Sequence, residues 1–223
     1  AARLGLGQPT GIDLPAETAG HLPAASTLSV PTGPVSLRER ELRAAAIGQS
    51  TLTTTPLQIA RLLAAVANRG TLVAPHVVAG WGLLSDPQAG SEAQTVPPLP
   101  HTRPAGTKIA ELDTATLEVL HRALRGVVDD SAGTGHASVH LEGLSIAGKT
   151  GTAEAGGNRL AHAWFAGYAP AESPRVAFVV ALEHAGSAGE AAGPVARRLV
   201  QRLDQLGYLG RESRGRLARA EAY

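Results

Sequence analysis

The sequence predicts an α+β fold whose antiparallel sheet lies toward the C-terminus. Two segments before residue 130 repeat apolar residues at helical spacing, three strand candidates follow with short breaks, and an amphipathic helix closes the order. At 223 residues the chain can bury one substantial core, or the core of one domain and a small appendage.

Residues 1–37 are rich in Gly, Pro, Ser and Thr, with turn signals at Pro9-Thr10-Gly11, Ala19-Gly20 and Thr32-Gly33-Pro34, and read as loops around short elements. Residues 38–47 form a short Arg/Glu/Ala helix that ends by Gly48. The first well-specified helix runs from about 56 to 68. Thr55 caps it, Pro56 takes the first helical position and Gln58 completes a capping box. Ile59, Leu62, Leu63 and Val66 give it an apolar face, and Gly70 offers a left-handed C-terminal stop. Residues 71–78 look extended, with Pro75 marking an edge or a break, and residues 79–108 read mostly as loop stiffened by Pro97, Pro98, Pro100 and Pro104.

A second helix is expected from about 113 to 126, capped by Asp113 or Thr114, with Leu117, Leu120, Leu124 and Val128 at helical spacing. Strands follow at about 143–153, 162–169 and 175–183; the short breaks between them make antiparallel neighbours the economical topology. The closing helix, about 190 to 206, carries Val195, Leu199, Leu203 and Leu206 as a stripe that can cover one sheet face. Such a sheet is small and is expected to need strands from outside this chain. After Gly210 there is little to bury, so the domain reading is 1–210 with 211–223 a flexible tail.

Composition narrows the function classes. With no Cys there is no disulfide, no Cys-ligated zinc and no thiol nucleophile. Twenty Lys and Arg against 19 Asp and Glu leave a formal charge of +1, which gives no general reason to expect nucleic acid or an acidic membrane as partner. No run reaches the roughly 18 apolar residues of a membrane span. The chain has no Met and begins Ala1-Ala2-Arg3, so we expect it to be processed, excised or assigned the wrong start. Only Lys108 and Lys149 are available for lysine chemistry.

The most informative string is Ala147-Gly148-Lys149-Thr150-Gly151-Thr152-Ala153-Glu154. A phosphate loop would need Gly four residues before the Gly-Lys pair, where Leu144 stands. Read as a strand, it places Lys149 and Gly151 on one parity and Thr150 and Thr152 on the other; at an edge bordering a cleft, both sets still serve one ligand. Gly151 lets that ligand approach the backbone with no Cβ in the way.

Lys149-Thr150-Gly151-Thr152, preceded by Ala147-Gly148, resembles the Lys-Thr-Gly motif of the penicillin-binding protein transpeptidases. Three further blocks agree in order: Gly5-Leu6-Gly7-Gln8-Pro9-Thr10-Gly11-Ile12-Asp13-Leu14-Pro15; Gly48-Gln49 with Thr54-Thr55-Pro56-Leu57-Gln58 and Ala67-Asn68-Arg69-Gly70; and His162-Ala163-Trp164-Phe165-Ala166-Gly167-Tyr168. The resemblance, class B-like and of the cell elongation or division type, covers roughly residues 5–206. It implies the C-terminal part of a serine transpeptidase/β-lactamase-like domain, an antiparallel sheet flanked by helices.

The resemblance further implies a peptidoglycan D,D-transpeptidase that cross-links D-Ala-D-Ala stem peptides through an acyl-serine and is a β-lactam target. In that reading Lys149, Thr150, Gly151 and Thr152 are the catalytic strand. Lys149 holds the terminal carboxylate or assists proton transfer, Thr150 supports, Thr152 donates its hydroxyl to that carboxylate, and the Thr152 N–H helps form an oxyanion hole. Substrate binding falls to Lys149, Thr150 and Thr152. No cofactor is implied. The implied partners are stem peptides, β-lactams, the missing N-terminal part of the same protein and the cell-wall synthesis machinery; the place is the bacterial cell envelope, with the catalytic domain on the outer face of the cytoplasmic membrane and any anchor outside this chain.

The nucleophile is where the sequence departs from the family. Ser-x-x-Lys requires Ser three before Lys, yet Ala105 precedes Lys108 and Ile146 precedes Lys149 at that spacing; Ser-x-Asn fails before Asn68 and Asn158 as well. The expectation is a chain lacking the first strands and the nucleophile helix, inactive alone. The alternative is a non-catalytic β-lactam sensor or interaction domain with a transpeptidase-like cleft. Lys149 is otherwise an edge charge against sheet association, Trp164 and Phe165 are packing residues, His162 is either structural or near the cleft, and Asp129-Asp130 is a solvated helix end. The trio His136, His140 and His162 has no acidic partner at metal-site spacing, so no metal is expected.

Overall fold

The computed structural model describes residues 1–23, 43–49, 51–77, 106–110 and 112–210. Its elements are a 3₁₀ turn Ala2–Leu4, α1 (Pro56–Ala67), β1 (Thr71–Leu72), β2 (Thr107–Lys108), α2 (Thr114–Asp129), α3 (His136–Val139), β3 (Ala147–Ala153), β4 (His162–Ala169), β5 (Val176–Leu182), a wide π-type turn Ala188–Ala192 and α4 (Gly193–Gln205). The first half of the expected helix at 38–47 and the whole of 211–223 lie outside the described residues; within 43–49 one helical turn is present at 43–46. No helix among the described residues is long and apolar enough to cross a membrane.

Helix α1 begins where the capping signals put it. Thr55 accepts from the Gln58 N–H and the Gln58 side chain accepts from the Thr55 N–H, so two otherwise orphan donors are satisfied reciprocally. The Gln58 side chain is also buried and donates to the carbonyls of Gln8 (2.8 Å) and Ala19 (2.7 Å), pinning the N-terminal loop to the helix. That loop closes on itself through the Glu17 carboxylate, which accepts from the Thr10 hydroxyl at 2.6 Å and the Thr10 N–H at 2.7 Å. The Thr10 hydroxyl bond is the main cause of the Glu17 carboxyl lying below its ordinary range. At the other end of α1 both Arg69 and Gly70 are left-handed, and Asn68 bonds both backbone groups of Thr71.

Residues 79–105 of the segment read mostly as loop lie outside the described residues, and at its end Thr107–Lys108 pairs antiparallel with Thr71–Leu72. Two expectations need correction here. Helix α2 runs to Asp129, and the next four-residue helix, α3, was not anticipated. Asp129 is more than a solvated helix end: it accepts from Arg125 Nε (2.7 Å) and from the Ser145 hydroxyl (2.9 Å), tying α2 to the approach of β3.

The three long strands form one antiparallel sheet in the order β3-β4-β5. Rows such as Lys149–Ala166–Val179 face α1 and α2, where Leu63, Val66, Leu117, Ala147, Ala166 and Tyr168 make one core cluster. Rows such as Thr150–Phe165–Val180 face the opposite side, where Val128, Val139, Phe165, Phe178, Ala196 and Val200 make the other. The sheet is thus covered on both faces, while β3 carries no further strand among the described residues.

The stripe expected on α4 is rotated. Ala192, Ala196 and Val200 are fully buried and Leu203 packs beside them, whereas Val195, Leu199 and Leu206 are exposed. The wide turn at Ala188–Ala192 adds a residue to the first turn and so shifts the phase of the helix that follows.

Candidate functional site

Strand β3 is built to be packed at its start and open at its end. Ala147 and Gly148 are buried, Lys149 and Thr152 are exposed, and Thr150 and Gly151 are in between. In an antiparallel strand the N–H and C=O of one residue point to the same side, and successive residues alternate. Ala171 N–H bonds the Ser145 carbonyl, so Ser145, and with it Lys149 and Gly151, present their backbone groups to β4. Thr150 and Thr152 therefore present theirs to the open edge. Two side chains confirm that edge: Lys149 Nζ donates to the Thr150 carbonyl at 2.6 Å, and Gln49 Nε2 donates to the Thr152 carbonyl at 3.1 Å.

Parity puts the Lys149 Cβ and the Thr152 side chain on opposite faces, as the sequence implied, but the long lysine side chain curls so that its ammonium sits at the edge beside Thr150. The charge thus joins the threonine backbone on one side of the strand. The Thr152 hydroxyl accepts from the Ala188 N–H at 3.2 Å, at the N-terminus of the wide turn, where helical donors lack intrahelical partners. Because that contact uses an oxygen lone pair, the hydroxyl proton remains available to a ligand. The Thr150 hydroxyl bonds the Thr134 hydroxyl at 2.8 Å and is so held to the loop before α3.

The two glycines of the strand differ. A Cβ at Gly148 would stand 2.5 Å from Phe165 Cζ and 2.7 Å from the Ala166 carbonyl; at Gly151 the nearest atom would be Trp164 Cβ at 3.3 Å. Gly148 is required by packing, while Gly151 leaves the strand surface low at its open end.

All four residues singled out in the sequence come together on this strand. Thr134, Gln49 and Ala188, which fix them, were missed; each acts through a contact between segments 16 to 103 residues apart, and local pattern carries no signal for it. Trp164 is half-buried opposite Gly151, Phe165 is core, and His162 pairs with His184, their ring centroids 4.6 Å apart.

Comparison with known proteins agrees with this arrangement. Residues 1–201 match the family described as penicillin binding protein transpeptidase domain. The peptidoglycan D,D-transpeptidase MrdA of Salmonella typhimurium is 28% identical over 91% of this chain and 33% of its own length. The penicillin-binding protein PBP2 of Helicobacter pylori, solved in complex with MreC, superposes with a TM-score of 0.70 at 25% identity, covering 93% of this chain and 35% of that one. Penicillin binding protein 3 of Mycobacterium tuberculosis, solved with aztreonam, gives a TM-score of 0.67 at 28% identity over 92% of this chain and 44% of that one. The chain spans about a third of the length of the curated relatives it matches first.

Proposed function

We propose, because this chain belongs to the penicillin-binding protein transpeptidase family, that it supplies the substrate-holding strand of a peptidoglycan D,D-transpeptidase whose nucleophilic serine lies outside these 223 residues. The observation that carries the reading is the convergence on one open edge of the Lys149 ammonium, the outward backbone of Thr152 and a Thr152 hydroxyl with its proton unused.

The chemistry follows from that edge. The terminal D-Ala carboxylate sits between Lys149 and the Thr152 hydroxyl, and the peptide lies along the strand over Gly151. Serine Oγ bonds to the penultimate D-Ala carbonyl carbon; the carbonyl oxygen, now anionic, accepts from the Thr152 N–H. The C–N bond breaks, D-Ala leaves with a proton, and the amine of a second stem peptide releases the acyl group from serine. A β-lactam enters the same route but carries its leaving amine in a ring. The place of action is the bacterial cell envelope, with other cell-wall synthesis proteins as partners of the complete protein.

Labelling with a fluorescent penicillin tests this. The 223-residue chain stays unlabelled, and a version extended upstream becomes covalently labelled. In the extended protein Lys149→Ala or Thr152→Val slows acylation about 100-fold, the size expected for loss of a charge-stabilising donor. Label on the short chain, or none on a folded extended protein, overturns the reading.

A further inference from the structure

At the end of the sheet where β3 opens, a histidine of β4 and one in the turn after β5 are locked together. His162 opens β4 opposite Ala153, and His184 follows β5. The His184 N–H donates to His162 Nδ1 at 3.2 Å, and His184 Nδ1 lies 3.1 Å from the Leu160 carbonyl. Partners fix both tautomers: a ring nitrogen that accepts carries no proton, and one that meets a carbonyl must donate. His162 therefore holds its proton on Nε2 and His184 on Nδ1. His184 adopts a left-handed backbone, φ 53°, which a non-glycine residue takes up only where its surroundings hold it there. Two residues on, the Gly186 N–H bonds the Ala161 carbonyl.

This clamp immediately precedes the N–H that orients Thr152. The turn held by His162, Leu160 and Ala161 leads from Gly186 through Ser187 to Ala188, whose N–H donates to the Thr152 hydroxyl. Thr152, Ala163 and Leu182 lie in one row of the sheet, so the clamp sits next to the strand end it serves.

We propose that His162 and His184 are positioning residues for the Thr152 hydroxyl, acting through the 184–188 turn and the Ala188 N–H. The proposal rests on the reading of the β3 edge as the substrate edge. The imidazoles touch no substrate: they set the direction from which Ala188 occupies a lone pair of the Thr152 oxygen, and hence where the hydroxyl proton points.

Amide hydrogen exchange and imidazole ¹⁵N spectra on the 223-residue chain test the clamp apart from any activity. His162→Ala accelerates exchange at Ala188 about tenfold, the scale of one hydrogen bond, while Val128 and Phe165 exchange as before. His162→Asn, whose side-chain oxygen can also accept from the His184 N–H, restores protection at Ala188. His184→Gly, which suits the left-handed backbone, removes the bond to Leu160 and the ring contact with His162 but keeps the backbone N–H bond to His162, and gives a smaller acceleration at Ala188. The ¹⁵N spectra show the Nε2–H form of His162 and the Nδ1–H form of His184.

Unchanged exchange at Ala188 in both His162→Ala and His184→Gly, an Asn variant as impaired as the Ala variant, or reversed tautomers overturns the proposal. In an upstream-extended protein, His162→Ala slows penicillin acylation about tenfold and Asn restores it. If the extended wild-type protein takes no label while Ala188 still responds to His162, the clamp stands and the catalytic reading falls.

Discussion

Ala147 and Gly148 at the start of β3 are buried between two helical layers, whereas Lys149 and Thr152, a few residues along the same strand, are exposed. The packed end has partners in both cores: Ala147 pairs with Tyr168 on the α1 and α2 side, and Gly148 leaves room for Phe165 on the other. The open end has backbone on its outer side and is held by single polar contacts from Gln49, Thr134 and Ala188. In the proposed reading, stability and chemistry are thereby separated along one strand: what is lost at the start is folding energy, and what is lost at the end is ligand contact.

Gly148→Ala gives the largest expected loss of stability. Its Cβ would stand 2.7 Å from the Ala166 carbonyl, a backbone atom that moves only if the β3–β4 pairing moves. Overpacking of this kind costs about 3 kcal/mol. Urea unfolding of the 223-residue chain measures it; a loss below about 1 kcal/mol would mean that the packed end yields as readily as the open one.

Tyr168→Phe probes the same end more gently. The Tyr168 hydroxyl lies 2.6 Å from His121 Nδ1, and losing that bond costs about 1 kcal/mol at neutral pH. Burial pushes the phenol up to about 12. An unfolded tyrosine ionises near 10, so folding favours the protonated phenol. That contribution is fully present below about pH 10 and is lost as pH rises through about 12. Unfolding midpoints between pH 9 and 12 should fall more steeply for the wild type than for Tyr168→Phe, and parallel curves would refute the assignment.

This division explains what the sequence made legible. Thr55, Pro56 and Gln58 announce α1 because capping is settled within four residues. The β4 and β5 spans were readable because their apolar runs end at short turn-forming breaks. The α4 stripe failed by one position round the helix, since the wide turn before it leaves no periodic signature. Two-residue strands such as β2 are too short to show alternation. At the site the motif residues were legible through family resemblance and the strand parity through spacing. The Lys149 ammonium reaching the edge and the Ala188 contact depend on side-chain paths and tertiary neighbours.

Thr150→Val tests the open end, with a smaller effect on stability. It keeps the shape, removes the 2.8 Å bond to Thr134 and leaves a hydroxyl that water can satisfy, so the cost is about 0.5 kcal/mol. A loss above about 2 kcal/mol would show that the loop before α3 depends on this bond and that the open end also carries the fold.

Gly151→Ala should change stability least, and it separates the two ends most clearly. The added methyl meets Trp164 Cβ at 3.3 Å, a contact relieved if the paired β3 and β4 backbones give by a few tenths of an ångström. Against that crowding, alanine loses less backbone entropy than glycine on entering a strand, and the two effects leave the unfolding free energy within about 0.5 kcal/mol of wild type. The same methyl stands on the strand surface where a peptide would lie. In an upstream-extended protein its effect should therefore appear in penicillin acylation, slowed about tenfold while the unfolding midpoint holds. If Gly151→Ala instead destabilises as much as Gly148→Ala, both glycines are packing residues and the open end loses its claim to a separate role.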